Sequence, residues 1–146
     1  MNKKYLTVIL VVILPFTIFS QSKNTGIKDT LKYSIDSCVR SFNIDKAQKV
    51  AAGYQYWFVD QYFNNGNTVK MSVVEPGLQM HPPKPNPVDE FIFVLEGEGE
   101  FYLNGETRHV AAFTCLFYPA NVPVGIKNTG KTELKYLVIK PGCNEK

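Results

Sequence analysis

The side chains best able to act in catalysis or ligand binding lie together between residues 81 and 90. His81, Lys84, Asn86 and Glu90 follow one another in this short segment. A carboxylate beside an imidazole can work as an acid–base pair, or the two groups can ligate a divalent metal ion. A carboxylate beside an ammonium group and an amide can instead bind the hydroxyl and acidic groups of a small polar molecule. Glu90 and His81 are therefore the candidate catalytic residues, and Lys84, Asn86 and Glu90 are candidate ligand-binding residues.

Prolines stiffen the same segment. Pro82, Pro83, Pro85 and Pro87 each fix the backbone φ angle, so the loop that contains them has few conformations. Such a loop does not rearrange easily around an ion, but it can equally hold His81 in a favourable position. The sequence leaves both alternatives open.

The regions on both sides of this loop have the pattern of short β-strands. Residues 54–60 are rich in aromatic and β-branched side chains, and residues 68–75 alternate between apolar and polar side chains. Asn104-Gly105 is a strong hairpin signal. Because no long helical pattern interrupts the strands, the sequence predicts an all-β fold, a single small antiparallel barrel or jelly roll. Further strands are expected at residues 91–95, 101–103, 109–112, 114–118, 125–128 and 134–139.

Two stretches of the chain resemble the two motifs of the cupin superfamily. The first runs from Asp89 to Glu100, and the second from Pro119 to Asn128, with the Asn104-Gly105 turn between them. Glu90 and Gly97 match the glutamate and glycine that end the first motif. Pro119 and Asn128 match the first and last positions of the second motif. The resemblance covers about residues 51–142 and implies a cupin jelly-roll barrel with Glu90 pointing into it.

The resemblance also implies that the usual metal site has been lost. A typical metal-binding cupin holds one divalent ion with three histidines and a glutamate. Here the histidine positions are Lys84, Asn86 and Val124, and only Glu90 keeps a suitable side chain. Valine has no lone pair, and a lysine ammonium repels a cation. We therefore expect no metal cofactor; the alternative is one divalent metal ion held by His81 and Glu90, with Asn86 and water.

A barrel without its usual metal has three alternative functions. The first is binding of a small polar molecule, a sugar or sugar acid, by Lys84, Asn86 and Glu90, with Tyr56 as an aromatic contact. The second is an isomerase, lyase or dioxygenase-like enzyme that uses Glu90 with His81, with or without a divalent metal. The third is a structural or accessory dimer without chemistry in its pocket.

A homodimer is also expected from the outer surface of the barrel. If Glu90 points inward, strand alternation places Phe91, Phe93 and Leu95 on the outer face. Three large apolar side chains on an outer face need a cover. A second copy of the chain is the expected cover, and the segment 27–50 is the alternative.

Residues 1–20 have the layout of a secretory signal peptide. Lys3 and Lys4 precede an apolar stretch that is too short for a comfortable membrane span, and Ser20 suits a cleavage site. We therefore expect residues 1–20 to be a signal peptide, 21–50 an N-terminal extension and 51–146 the cupin domain. The expected location is exported, periplasmic or secreted, with no membrane attachment after cleavage.

Composition and cysteine content limit the possible number of domains, the partners and the disulfide bonds. The 146 residues contain 45% apolar and 20% charged side chains, the balance of one globular domain. The formal net charge of +3 includes two lysines of the predicted signal peptide. Because the rest of the chain is nearly neutral, a nucleic-acid partner is not expected. Cys38, Cys115 and Cys143 are odd in number, so their pairing stays open.

Overall fold

The computed structural model describes residues 34–60, 62 and 66–142. The predicted signal peptide, residues 21–33 of the predicted N-terminal extension and Cys143 lie outside these residues. Contacts divide the chain into Met1–Ile35 and Asp36–Lys146, and the fold described below is that of the second unit. Within the described residues, no helix is both long and apolar enough to span a membrane.

Nearly all of the regular structure is β-strand. A single-turn helix α1 (Ile35–Cys38) and a 3-10 turn (Ile44–Lys46) precede the strands. The strands are β1 (Gln48–Val50), β2 (Gly53–Val59), β3 (Thr68–Val74), β4 (Lys84–Pro85), β5 (Glu90–Glu96), β6 (Glu98–Leu103), β7 (Glu106–Ala111), β8 (Cys115–Tyr118), β9 (Pro123–Asn128) and β10 (Leu134–Lys140).

The strands form two antiparallel sheets. One has the order β1-β2-β3-β10-β5-β8, and the other has the order β4-β9-β6-β7. Strands β5 and β10 are neighbours although far apart in sequence, as are β6 and β9. Two antiparallel sheets with these pairings form a β-sandwich, and this arrangement confirms the predicted all-β jelly-roll fold. The predicted strands are present with their ends shifted by a few residues, and the proline-rich loop contains the additional short strand β4.

The core lies between the sheets and follows the period of two that strands require. On β5, Ile92 and Val94 are 2% and 0% exposed, whereas Phe91 between Glu90 and Ile92 is 45% exposed. The predicted inward direction of the even-numbered residues of β5 is therefore confirmed. Completely buried Val124 and Leu134 add to this core from β9 and β10.

Hydrogen bonds join the proline-rich loop to the loop before β9. The backbone N–H of Asn121 donates to the carbonyl oxygen of Asn86 over 2.6 Å. The backbone N–H of Ala120 donates to Asp89 Oδ1 over 2.8 Å. Pairing of Lys84 with Val124 extends the connection into strands β4 and β9. The two motif regions are thus held together, which brings the side chains of the proline-rich loop to one end of the barrel.

The local structure explains why two positions of the motifs are occupied by a glycine and an asparagine. Gly97 has φ +81°, and a Cβ atom there would lie 2.5 Å from the carbonyl oxygen of Glu133. Only glycine avoids this clash at the tight β5–β6 connection. Asn128 is completely buried, and its side-chain amide donates to the carbonyl oxygens of Val74 and Thr132 over 2.8 Å each. The motif asparagine therefore has a structural role.

Candidate functional site

A cavity of about 300 Å³ lies between the two sheets. His81, Lys84, Asn86 and Glu90 all line it, so the structure brings together the four side chains of the proline-rich segment. The other lining residues come from β2, β3, β5, β8, β9, β10 and the loop before β4: Gln55, Trp57, Thr68, Lys70, Ser72, Met80, Ile92, Tyr118, Ile126, Tyr136, Val138 and Lys140.

Glu90 lies at the centre of the polar contacts in this cavity. The side-chain amide of Asn86 donates to Glu90 Oε2 over 3.2 Å. The ammonium nitrogen of Lys140 lies 4.0 Å from Glu90 Oε1. The Glu90 side chain is 16% exposed, so its charge is partly desolvated and benefits from both partners. The carboxylate keeps further lone pairs with which it can accept hydrogen bonds from a ligand.

Among the described residues, one ring nitrogen of His81 has a hydrogen-bond partner and the other has none. Its Nδ1 lies 2.9 Å from the carbonyl oxygen of Pro82. Because a carbonyl oxygen only accepts hydrogen bonds, Nδ1 carries a proton and donates it. In the neutral ring, Nε2 then has a lone pair that can accept a proton or a hydrogen bond.

Two lysines of the cavity were not predicted from the sequence. Lys70 of β3 and Lys140 of β10 line the same space as Glu90. Burial lowers the pKa of Lys70; the carboxylate of Glu90 opposes this effect, and the positive charges of Lys140 and Lys84 add to it. The ammonium of Lys70 also lies 5.1 Å from the ring centre of Trp57, at the distance of a cation–π contact.

The orientation of the side chains on β3 explains why the sequence did not predict Lys70 as a cavity residue. Its polar residues Thr68, Lys70 and Ser72 face the cavity, whereas Met71 and Val73 are buried on the other side of the strand. Alternation in the sequence shows that a strand has one polar face. It does not show whether that face borders solvent or an internal cavity.

Two buried tyrosines complete the polar lining. Tyr136 is 4% exposed, and burial raises its pKa to about 12 despite a hydrogen bond with Ser72. Tyr118 is 3% exposed, and burial raises its pKa strongly, with Tyr136 and Glu90 adding to the effect. Within residues 34–60, 62 and 66–142, the Tyr118 hydroxyl has no hydrogen-bond partner. A buried hydroxyl without a partner is unfavourable, and Tyr118 is one of the residues that line the cavity.

Tyr56 lies away from the cavity. On β2 the side chains that line the cavity are Gln55 and Trp57, and strand alternation directs Tyr56 to the opposite face. There its hydroxyl donates to the carbonyl oxygen of Ser41 over 2.9 Å, and its ring packs edge-on against Phe42 at 5.2 Å. Tyr56, expected as an aromatic ligand contact, therefore does not line the cavity, and Trp57 is the aromatic residue of β2 that does.

The side chains at the four metal positions do not fit the metal site of the family. Lys84, Asn86 and Glu90 line the cavity, and Val124 is the partner of Lys84 in the pairing of β4 with β9. They provide an ammonium group, an isopropyl group, an amide and a single carboxylate, which is not a donor set for a transition metal. No group of three or more His, Cys, Asp or Glu side chains in the described part of the chain could hold an ion.

The two histidines lie apart from each other. His81 lines the cavity, whereas His109 of β7 is exposed on the smaller sheet, with Nε2 3.7 Å from Glu98 Oε2. Neither Phe113 nor Val124 lines the cavity beside Glu90. Phe113 is 83% exposed, and Val124 is packed in the core.

The outer face of the larger sheet is divided into a covered and an exposed half. Phe42 packs against Tyr54 and Tyr56 of β2. On the other half, Ile139, Phe91 and Phe117 stand side by side on β10, β5 and β8. We call these three side chains, two of which are aromatic, the aromatic patch. They are 40%, 45% and 48% exposed. Cys115 on the same half and Cys38 are both free and exposed.

Comparison with known proteins shows where this architecture recurs. A family model described as "Cupin domain" matches residues 70–140. No curated protein matches the sequence.

Several solved structures share the fold. The polyketide cyclase RemF from Streptomyces resistomycificus has a TM-score of 0.61 at 23% identity, covering 70% of this chain and 78% of its own. A predicted oxalate decarboxylase from Thermotoga maritima has a TM-score of 0.55 at 24% identity, covering 60% and 77%. The DMSP lyase DddQ from Ruegeria pomeroyi has a TM-score of 0.56 at 19% identity, covering 74% and 58%. At these identities the likeness extends to the fold.

Proposed function

We propose that this chain, which belongs to the cupin superfamily, binds a small polar molecule, a sugar or sugar acid, in its barrel cavity. The observation that carries the proposal is the convergence of Lys84, Asn86 and Glu90 on one open space of about 300 Å³. This volume lies at the lower end of the range for small-molecule pockets and suits a ligand of monosaccharide size.

The chemistry of the lining supports a ligand with several hydroxyl groups. Glu90 accepts hydrogen bonds, Asn86 both donates and accepts, and the lysines donate. The indole of Trp57 and the side chains of Ile92 and Val138 add apolar surface to the same cavity. Such a mixture of polar groups and flat apolar surface matches the hydroxyl edges and the apolar faces of a sugar ring.

A thermal-shift screen tests this proposal. Neutral monosaccharides and uronic acids should raise the melting temperature of the protein, because a ligand that binds only the folded state stabilises it. The increase should be smaller in Asn86→Ala and, for the neutral monosaccharides above all, in Glu90→Gln. If none of these compounds raises the melting temperature at millimolar concentration, the proposal is wrong.

An enzymatic function is the second candidate, and the placement of His81 favours it. His81 and Glu90 line the same cavity, and Nε2 of His81 has a lone pair to accept a proton. An isomerase or lyase acting on a uronic acid would begin by removing a proton from carbon. The expected signature is incorporation of solvent deuterium into the sugar acid, observed by NMR in D₂O. His81→Ala and Glu90→Gln should both abolish the exchange, and absence of exchange with the unaltered protein would exclude this mechanism for the compounds used.

The aromatic patch supports a homodimer as the state in which the protein works. Phe42 already covers the β2 half of the sheet, whereas no other described residue of the chain covers the exposed half around Phe91, Phe117 and Ile139. The patch consists of uncharged side chains, and a second copy would present the same uncharged surface. A symmetric contact therefore buries no unpaired charge at its centre.

Export is proposed on the pattern of residues 1–20 alone. Removal of these residues in the native host would leave a chain that begins near residue 21 or 23. Mass spectrometry of the protein from an exported fraction measures this directly. A full-length chain retained in the cells would contradict export.

A further inference from the structure

The charges in the cavity are unbalanced. Lys70, Lys84 and Lys140 line it together with the single carboxylate of Glu90, a formal excess of two positive charges when His81 is neutral. Charged groups in a partly buried site are costly when they lack counter-charges. The described lining of the cavity therefore has too little negative charge, which an acidic ligand can supply.

Glu90 cannot neutralise all three lysines. Its two oxygens already contact the Asn86 amide and the Lys140 ammonium. Among the described residues, no carboxylate oxygen lies within 4 Å of the ammonium groups of Lys70 or Lys84. Lys70 instead lies over the ring of Trp57.

Strand register places Lys70 and Lys140 close to each other. Lys70 is paired with Val138 of β10, and Lys140 is two residues further along the same strand. Side chains in such a diagonal relationship on one face of a sheet lie within reach of a shared partner. Two neighbouring ammonium groups that face one cavity form a site for a group with several negatively charged oxygens.

The Tyr118 hydroxyl gives an independent indication of a missing ligand atom. Tyr118 lines the cavity, and its buried hydroxyl has no hydrogen-bond partner in the described part of the chain. Tyr118 is paired with Glu90 across β8 and β5, and Glu90 contacts Lys140. The free hydroxyl is thus in the same row of side chains as the positive charge.

We infer that the ligand of this cavity carries an anionic oxygen group, a carboxylate, sulfate or phosphate, that binds Lys70 and Lys140, while Tyr118 donates a hydrogen bond to a ligand oxygen. The inference rests on the proposed function and deepens it, because it selects acidic molecules over neutral sugars. Glu90 and Asn86 then bind the hydroxyl groups of the ligand. Lys84 lies on the opposite sheet and adds to the positive potential.

Calorimetric titration with matched sugars tests the inference. D-glucuronate, D-glucose 6-phosphate and D-glucose share a ring and differ in charge, and ionic strength is matched with sodium chloride. The two acidic sugars, or one of them, should bind at least about tenfold more tightly than glucose, because hydrogen bonds to charged groups are stronger than neutral ones. The preferred anion identifies the acidic group.

Charge-removing variants locate the site. Lys70→Gln and Lys140→Gln should each reduce the preference for the acidic sugar by about tenfold. Lys131→Gln is the matched control, since Lys131 is exposed and does not line the cavity. Because Lys140 is partly exposed, its variant should fold even if Lys70→Gln does not.

The outcomes separate this inference from the proposed function. Equal affinity for glucose and for both acidic sugars would overturn the inference and leave the proposed function intact, as would acidic-sugar binding that is unaffected by both cavity variants. Saturable binding of acetate or inorganic phosphate that depends on Lys70, without binding of any sugar, would support the anion site. It would also show that the proposal of a sugar ligand is wrong. Absence of binding by every compound would contradict both.

Discussion

The side-chain amide of Asn86 donates a hydrogen bond to the carboxylate of Glu90 over 3.2 Å. The resemblance to cupins places a metal-binding histidine at the position of Asn86. In this chain the same geometry connects an amide to the carboxylate, so the contact between the two positions is kept while the metal donor is replaced. The site therefore retains the position of the family's pocket and has different chemistry.

This replacement predicts how the metal site could be restored. The combined variant Lys84→His, Asn86→His and Val124→His adds three imidazoles around Glu90, which is the donor set of a typical metal-binding cupin. We expect the variant to retain about one zinc or nickel ion per chain in elemental analysis. The unaltered protein, treated with the same metal and then dialysed, should retain much less than one.

His109→Ala is the control for this experiment, because His109 is on the outer surface of the smaller sheet. It should not change the metal content. One ion per chain in the unaltered protein, lost in both Glu90→Ala and His81→Ala, would show that the alternative site with His81 is real.

Removal of the Glu90 charge should affect neutral and acidic ligands differently. Glu90→Gln keeps the size of the side chain but weakens its acceptance of hydrogen bonds from ligand hydroxyls. We expect about tenfold weaker binding of glucose by titration. The loss should be smaller for glucuronate, because the variant also removes the one negative charge of the cavity. Glu100→Gln, on an exposed residue of β6, should leave both affinities unchanged; the same loss in this control would assign the effect to something other than the site.

A charge placed in the aromatic patch should separate the homodimer. Phe91→Glu puts a carboxylate beside Phe117, whose ring centre lies 5.3 Å from that of Phe91. Burial of this charge against a second copy would be costly, so the variant should be a monomer by light scattering coupled to size exclusion. Leu78→Glu changes another exposed apolar side chain outside the patch and should remain dimeric. A monomeric unaltered protein would contradict the proposed dimer.

The buried tyrosines predict loss of stability in alkali. Tyr136 has its pKa raised to about 12 in the folded protein, compared with about 10 in an unfolded chain. Below pH 10 both states keep the proton. As the pH rises from about 10 towards 12, the unfolded state releases the proton and the folded state retains it. The free energy of unfolding therefore falls, by about 3 kcal/mol for this group over that range.

Urea unfolding at about pH 9, 10 and 11 measures this slope. Tyr136→Phe should be less stable at neutral pH, because the hydrogen bond with Ser72 is lost, but its stability should fall less steeply above pH 10. Tyr62→Phe alters a tyrosine that is 86% exposed and should have the slope of the unaltered protein. Parallel slopes for all three proteins would refute the assignment.

The sequence by itself determined the strands, the barrel and the part of the site that lies in one segment. Because the resemblance placed Glu90 inside the barrel, alternation on β5 correctly predicted Ile92 and Val94 inside and Phe91 outside. The spacing between Glu90, Gly97 and Asn128 correctly predicted the family. The four polar residues from His81 to Glu90 were found because they are close in sequence.

Only the tertiary structure decided which polar strand face borders the cavity. Lys70 and Lys140 are 70 residues apart, and they meet because β3 and β10 pair in the middle of the larger sheet. Tyr56 had the residue type of a ligand contact but the wrong parity on β2, where Trp57 takes the inner face. Sequence patterns show how residues alternate along one strand. Which face is internal depends on what packs against each side of the sheet, and that is settled by contacts between segments distant in the chain.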